Sequence, residues 1–276
     1  MKIIDGRVRL RTETLLKMWD RTLHPEVSET IEKYGMAERL KAMSVNQLID
    51  EAQAKHIDSM LVYGMNPDEN EHIFDLAAQH NTIIPVGGIN LSQGIRHACE
   101  EVSKLNSRGS SAVNIDISDG RAVNCRDLYP IYAQCEILGL SVIVHSAIHY
   151  SRQTYMWNAQ PQYFDEVAVD FPQLKIIMSH GGNGFGPTAL AVAQRHPYVY
   201  LEFSALRPKY MAPEFIQAAN TYLKDRCIFG TDYPLTDFGR QVELWKYALR
   251  EEVWEGFFGM NLLSALGSAS KSARED

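Results

Sequence analysis

Residues 175–182 read KIIMSHGG, a short β-rich run that ends in His180 and is closed by two glycines. Seven more runs of this kind are spaced along the chain: KIID (2–5), SMLVYG (59–64), TIIPVGGI (82–89), AVNIDIS (112–118), SVIVHSA (141–147), VYLEFSA (199–205) and CIFGTDYP (227–234). The segments between them have helical periodicity and helix-start signals. Ser44 and Gln47 form a capping box ahead of LIDEAQAKH, and PEFIQAANTYL opens with proline in its first turn. Strand and helix alternating eight times predict an α/β fold, a (β/α)8 TIM barrel. The competing architecture, a doubly wound open sheet, usually carries a glycine-rich turn after its first strand. The stretch IIDGRVRLRT (3–12) has no GxGxxG.

At 276 residues and 45% hydrophobic, the chain is long enough for one large barrel, expected over residues 1–265. Residues 10 to 43 exceed a simple loop and carry Trp19, His24, Pro25 and Tyr34 among charges. A lid-like insertion over the substrate is one reading, and an extra helical hairpin is the other. Residues 266–276 end in a small, polar tail. The net charge is −7 and no lysine–arginine stripe exists, which excludes nucleic acid as a partner. No export signal or membrane-length apolar run is present, so no membrane partner and a cytoplasmic location are expected. Cys99, Cys125, Cys135 and Cys227 form no CxxC pair, and read as reduced structural thiols.

In a barrel the reactive groups sit at the carboxyl ends of the strands. Three strands end in suitable groups: the fifth in His145, the sixth in His180 and the eighth in Asp232. The first strand adds Arg7 and Arg9, which alternate along it and so point the same way.

The phrases IVHSA (143–147), YFDEVAVDFPQLKIIMSHGG (163–182), HPYVYLEFSA (196–205) and FIQAANTYLKDRCIFGTDYP (215–234) resemble the amidohydrolase superfamily. The branch they resemble includes aminocarboxymuconate-semialdehyde decarboxylase, resorcylate decarboxylases and muconolactone-type hydrolases. The resemblance runs over nearly the whole chain. It implies a first strand of the form Ile-Asp-x-His-x-His, whose histidines bind a divalent metal together with the fifth-strand histidine and the eighth-strand aspartate. By that match His145 and Asp232 stand at ligand positions, and His180 at that of a ligand or of the catalytic histidine. Here the first strand reads Ile4-Asp5-Gly6-Arg7-Val8-Arg9, so both expected histidines are arginines.

Arginine has no lone pair to give and is permanently charged, so it cannot ligate a cation. A dication about 5 Å from one guanidinium would feel a repulsion of roughly 6 to 7 kcal/mol at an effective dielectric of about 20. No catalytic metal and no other cofactor are therefore expected. One arginine is expected to form a bidentate pair with Asp232, leaving the other to hold a substrate carboxylate, enolate or oxyanion. Alternatively, both arginines pair with Asp232, Asp116 or Glu202 and fill a decayed site.

After the fifth strand, HYSRQTYMWNAQPQ (149–162) supplies His149, Tyr150, Arg152, Tyr155 and Trp157. Tyr150, Arg152, Tyr155 and Trp157 are candidate substrate-binding residues, or else parts of a packed surface loop. Asn114 and Asp116 alternate on the fourth strand, and Asn183 and Phe185 offer backbone donors after His180. The expected chemistry is metal-independent hydrolysis of a lactone or activated ester on a small carboxylate-bearing metabolite. His180 serves as general base, His145 as a second acid–base or orienting group, Asp232 as orienter or base, and Arg7 and Arg9 as anion holders. Lyase chemistry through an enolate, including decarboxylation, is the alternative within enzymes. A non-catalytic carboxylate binder is the alternative outside them. Members of the family often form dimers, so the resemblance implies a homodimer.

Overall fold

All eight runs become parallel strands in the computed structural model, which describes residues 1–64, 66–117, 119–148 and 155–267. They are β1 (Ile4–Val8), β2 (Ser59–Tyr63), β3 (Ile83–Ile89), β4 (Ala112–Ile115), β5 (Ser141–His145), β6 (Ile176–Ser179), β7 (Val199–Glu202) and β8 (Cys227–Ile228), hydrogen-bonded in chain order. The end of β8 then returns to β1: Gly6 N donates to Phe229 O at 3.0 Å, and Asp232 N to Arg7 O at 2.9 Å. Gly6 permits this closure, because a Cβ there would meet Phe229 O at 2.6 Å. The fold is a (β/α)8 TIM barrel, as the alternation predicts. Most strands are shorter than the runs read from sequence, since their last residues leave the ladder and turn into the loops that carry the site.

Seven helices fill the gaps between successive strands: α3 (Val45–Gln53), α4 (Asn70–Ala77), α5 (Ile95–Ser107), α6 (Tyr129–Leu138), α7 (Pro161–Asp170), α8 (Gly186–Arg195) and α9 (Pro213–Asn220). The expected capping box starts α3, with Gln47 N donating to Ser44 Oγ at 3.2 Å and Ser44 N to Gln47 Oε1 at 2.9 Å. After β8 come α10 (Phe238–Ala248) and α11 (Asn261–Leu266).

The core has two layers. Between sheet and helices lie large rings such as Phe203 and Trp245, stacked at 5.4 Å. Inside the barrel, Ile4, Leu61, Val86, Ile143, Ile177 and Ile228 pack with Leu262 and Leu266 of α11. That helix plugs the amino-terminal end, where Ser141 donates to Ala265 O and Lys175 to Ser264 O. Chemistry is thereby confined to the carboxyl end.

Residues 10–43 contain α1 (Glu13–Met18), α2 (Ser28–Tyr34) and short 3-10 turns. Ile31 and Met36 pack against Ala205 and Leu235, just beyond β7 and β8. Arg39 fastens the segment by donating to Pro234 O at 2.8 Å and to Leu235 O at 3.0 Å. Among the described residues no helix is long and apolar enough to cross a membrane. The polar tail lies outside the described residues from residue 268 onward.

Candidate active site

The ends of four strands, β1, β2, β6 and β8, meet around one carboxylate. Arg7 Nε and Arg9 Nε each lie 3.3 Å from Asp232 Oδ1, and Tyr63 Oη donates to the same oxygen at 3.1 Å. Arg9 Nε also donates to Tyr63 Oη, and the Arg7 guanidinium sits 4.1 Å above the Tyr63 ring. Arg7 Nη1 donates to Ser179 Oγ at the end of β6, at 2.8 Å. The expected bidentate pair does not form. Two guanidinium groups converge on one oxygen, and each reaches it through a single nitrogen. Neither arginine is set apart from the aspartate.

His180 follows β6 directly, and its ring lies 5.0 Å from that of His145. His180 Nδ1 faces the Ser204 carbonyl at 3.2 Å and the Ser204 hydroxyl at 3.0 Å. His145 Nε2 donates to Ala147 O at 2.8 Å. Three residues at these strand ends, His180 (φ 61), Ala205 (φ 59) and Asp232 (φ 57), are left-handed without being glycine. Such conformations cost about 1–3 kcal/mol each, and strain of this kind gathers at functional sites.

Burial would raise the Asp232 carboxyl, but Arg9 and then Arg7 outweigh it and hold the group well below the usual carboxylate range. Burial, followed by the charge of Arg7, lowers His180 to about 4, so its imidazole is neutral at pH 7. Glu202, at the end of β7, goes the other way: burial outweighs Arg7 and raises it to about 8. Burial likewise takes Asp5 to about 7, against hydrogen bonds from Thr231 and the Arg7 amide.

The other sequence candidates scatter. Tyr150 and Arg152 lie outside the described residues, as does His149. Tyr155 and Trp157 are 68% and 44% exposed, with rings 6.1 Å apart, and among the described residues no hydrogen bond, ion pair or ring contact joins them to the arginine–aspartate cluster. Asn114 donates to Gly64 O at 3.4 Å within the barrel. The amides of Asn183 and Phe185 are spent inside their own turn, on His180 O and Gly182 O, so they are not substrate donors. A cavity of about 880 Å³ opens at the amino-terminal start of β1, lined by Met1, His56, Lys246 and Trp254 among others, and contains none of the strand-end groups.

The family's divalent ion does not fit these donors. Two guanidinium groups stand where two imidazoles would ligate, and they take up the Asp232 oxygen that an ion would share. Among the described residues no group of three or more histidine, cysteine, aspartate or glutamate side chains is arranged to hold a metal. Three cluster members escaped the sequence reading: Tyr63, Ser179 and Ser204. Their one visible signal was position, since each stands at or just beyond the carboxyl end of a strand.

The Amidohydrolase family model matches residues 69–265, which leaves out β1, Arg7 and Arg9. No curated protein matches the chain. Among solved structures, an uncharacterised TIM-barrel protein from Bordetella bronchiseptica is 26% identical, covering 98% of this chain and 100% of that one with a TM-score of 0.84. A 4-oxalomesaconate hydratase from Rhodopseudomonas palustris is 18% identical, covering 99% and 100% of the two chains with a TM-score of 0.65. Amidohydrolase 2 from Bifidobacterium longum subsp. infantis is 12% identical over 96% and 98%, with a TM-score of 0.64. These last two share the fold. With a family match over most of its length, and a barrel that carries histidine and aspartate at the expected strand ends, the chain belongs to the amidohydrolase family.

Proposed function

We propose that the protein is a metal-independent enzyme that hydrolyses a lactone or activated ester of a small, carboxylate-bearing metabolite. The observation that carries this reading is a neutral imidazole beside two guanidinium groups that share a single carboxylate. Arg7 and Arg9 bring two guanidinium groups to the site, both against Asp232, and Glu202, at about 8, stays largely protonated at pH 7. Two guanidinium groups in a buried setting favour an anionic substrate and an oxyanion developing on it.

In the reaction, water attacks the ester carbonyl carbon while His180 Nε2 takes the water proton. Arg9 and Arg7 face the negative charge that grows on the carbonyl oxygen. Collapse breaks the carbon–oxygen bond of the ester, and the imidazolium returns its proton to the leaving oxygen. A base lowered to about 4 is weak, which suits good leaving groups and not peptide-like amides. Binding of an anion cancels part of the guanidinium field and strengthens the base.

The same pair of guanidinium groups favours a second reading, lyase chemistry in which His180 removes a proton and the arginines hold an enolate. Hydrolysis in oxygen-18 water separates the two, because only a hydrolase must place the label in product. His180→Gln is expected to lower kcat by about 10²–10⁴-fold, the usual share of a general base. Turnover that survives this change rules out His180 as the base, whereas wild-type protein that turns over none of these substrates is a carboxylate-binding protein without catalysis.

A further inference from the structure

Behind His180 stands a carboxyl with one oxygen to spare. Glu202 is 1% exposed; Ser204 Oγ donates to its Oε2 at 2.9 Å, and Oε1 has no hydrogen-bond partner among the described residues. Gly230 makes the room for it, since a Cβ there would come within 2.2 Å of Oε1. Glu202 and Ser204 are two residues apart at the end of β7, so both side chains face the same way. The Ser204 hydroxyl thereby joins Glu202 to His180 Nδ1 in a line of 2.9 Å and 3.0 Å contacts.

The direction of the protons along this line follows from valence. The Ser204 carbonyl, 3.2 Å from His180 Nδ1, can only accept, so the proton belongs on Nδ1 and the lone pair on Nε2. The hydroxyl has a single proton. Given to Glu202, it leaves Oγ as a second acceptor for Nδ1–H. Turned the other way, it would donate to Nδ1 and favour the opposite tautomer, whose Nε2 cannot act as a base. Glu202, ionised or with its proton on Oε1, presents Oε2 as an acceptor and decides the matter.

We propose that Glu202, acting through the Ser204 hydroxyl, is the positioning residue that holds His180 with Nδ1 protonated and Nε2 bare. The role rests on the reading of His180 as the base. It is the third group that orients a base, with a hydroxyl interposed. Glu202 touches no substrate, and its effect is on the share of His180 ready to accept a proton.

The test is nitrogen-15 NMR of histidine-labelled protein, with His180 assigned among the nine histidines by the signal lost in His180→Gln. Wild-type protein is expected to show Nδ1–H and a bare Nε2. Glu202→Leu removes the acceptor and is expected to raise the ratio of Nε2–H to Nδ1–H by about five- to tenfold, as befits one lost hydrogen bond. It should lower kcat in proportion to the lost tautomer while leaving KM nearly unchanged. Glu202→Gln, which keeps an acceptor oxygen, is expected to retain the wild-type ratio. In a Ser204→Ala background the competing hydroxyl is gone, the carbonyl alone holds Nδ1–H, and Glu202→Leu should change nothing further.

A wild-type His180 protonated on Nε2 overturns the proposal by itself, even if Glu202→Leu fails to fold. So does an unchanged ratio in Glu202→Leu, or a shift that persists in Ser204→Ala. A tautomer that responds as expected while His180→Gln keeps full turnover leaves this positioning intact and removes the base reading. The converse result, lost turnover with an unresponsive tautomer, removes the positioning alone.

Discussion

His180 and Glu202 are pushed in opposite directions by the same burial, because one is charged when protonated and the other when deprotonated. His180 accepts its proton at about 4 in the folded protein, against an ordinary 6.5. The bare imidazole is the active form. On the reading above, kcat/KM is therefore expected to rise as pH increases through about 4 and to reach its plateau by about 6; a profile that stays flat there in wild-type enzyme would exclude His180 as the base. Glu202 holds its proton to about 8, against 4.5. Its sign is that of a raised acid: the unfolded chain ionises first, so stability is full below pH 4.5 and is lost as pH rises towards 8. Glu202→Gln should erase that loss, and urea midpoints measured from pH 5 to 8 should fall in wild-type protein relative to the variant. His180 acts oppositely. Its share of stability is full above pH 6.5 and declines as pH drops towards 4.

At the scale of elements, the segment 10–43 is tied to the barrel near both ends: Arg11 donates to the Tyr233 hydroxyl and Thr12 Oγ1 to Glu69 Oε1 at 2.6 Å at its start, and Arg39 holds its far end. Arg39 donates to the Pro234 and Leu235 carbonyls of the barrel and, within the segment, to that of Tyr34, and Ile31 and Met36 pack against Ala205 and Leu235. We expect Arg39→Ala to speed amide exchange in α1 and α2 while β5, β6 and β7 keep their protection, since local opening need not involve the sheet. Equal loss of protection in both would show that the insertion and barrel unfold as one unit. Sequence signals at this scale were strong where they were local. The Ser44–Gln47 box and the proline at the start of α9 involve neighbours three or four residues apart, and both stand where read. Strand ends were less legible, because a strand stops where its ladder partner stops. β8 shrinks to Cys227–Ile228 from a run of eight residues.

For the molecule as a whole, closing the sheet brings β8 against β1, and with it Asp232 against Arg7 and Arg9. The charges at this seam set the response to metals. A dication about 5 Å from one guanidinium would face roughly 6 to 7 kcal/mol of repulsion before the second is counted. Purified protein is therefore expected to hold no stoichiometric zinc or manganese by elemental analysis, and prolonged chelation should leave turnover intact. Stoichiometric metal whose removal abolishes activity would overturn the metal-free mechanism.

Eight apolar runs, the helices between them and the strand-end identities of His145, His180 and Asp232 were determined by the sequence alone. These depend on residue order within short windows, where periodicity and chain direction decide which end of a strand a side chain occupies. The exchange of two histidines for Arg7 and Arg9 was equally plain. Only the tertiary structure decided how those charges are shared: on one oxygen of Asp232, with Tyr63, Ser179 and Ser204 drawn in from other strands. Contacts of this sort join residues up to 225 positions apart. They are fixed by strand register and barrel closure, and a hydroxyl at a strand end gives no sign of its partner until the neighbouring strand is in place.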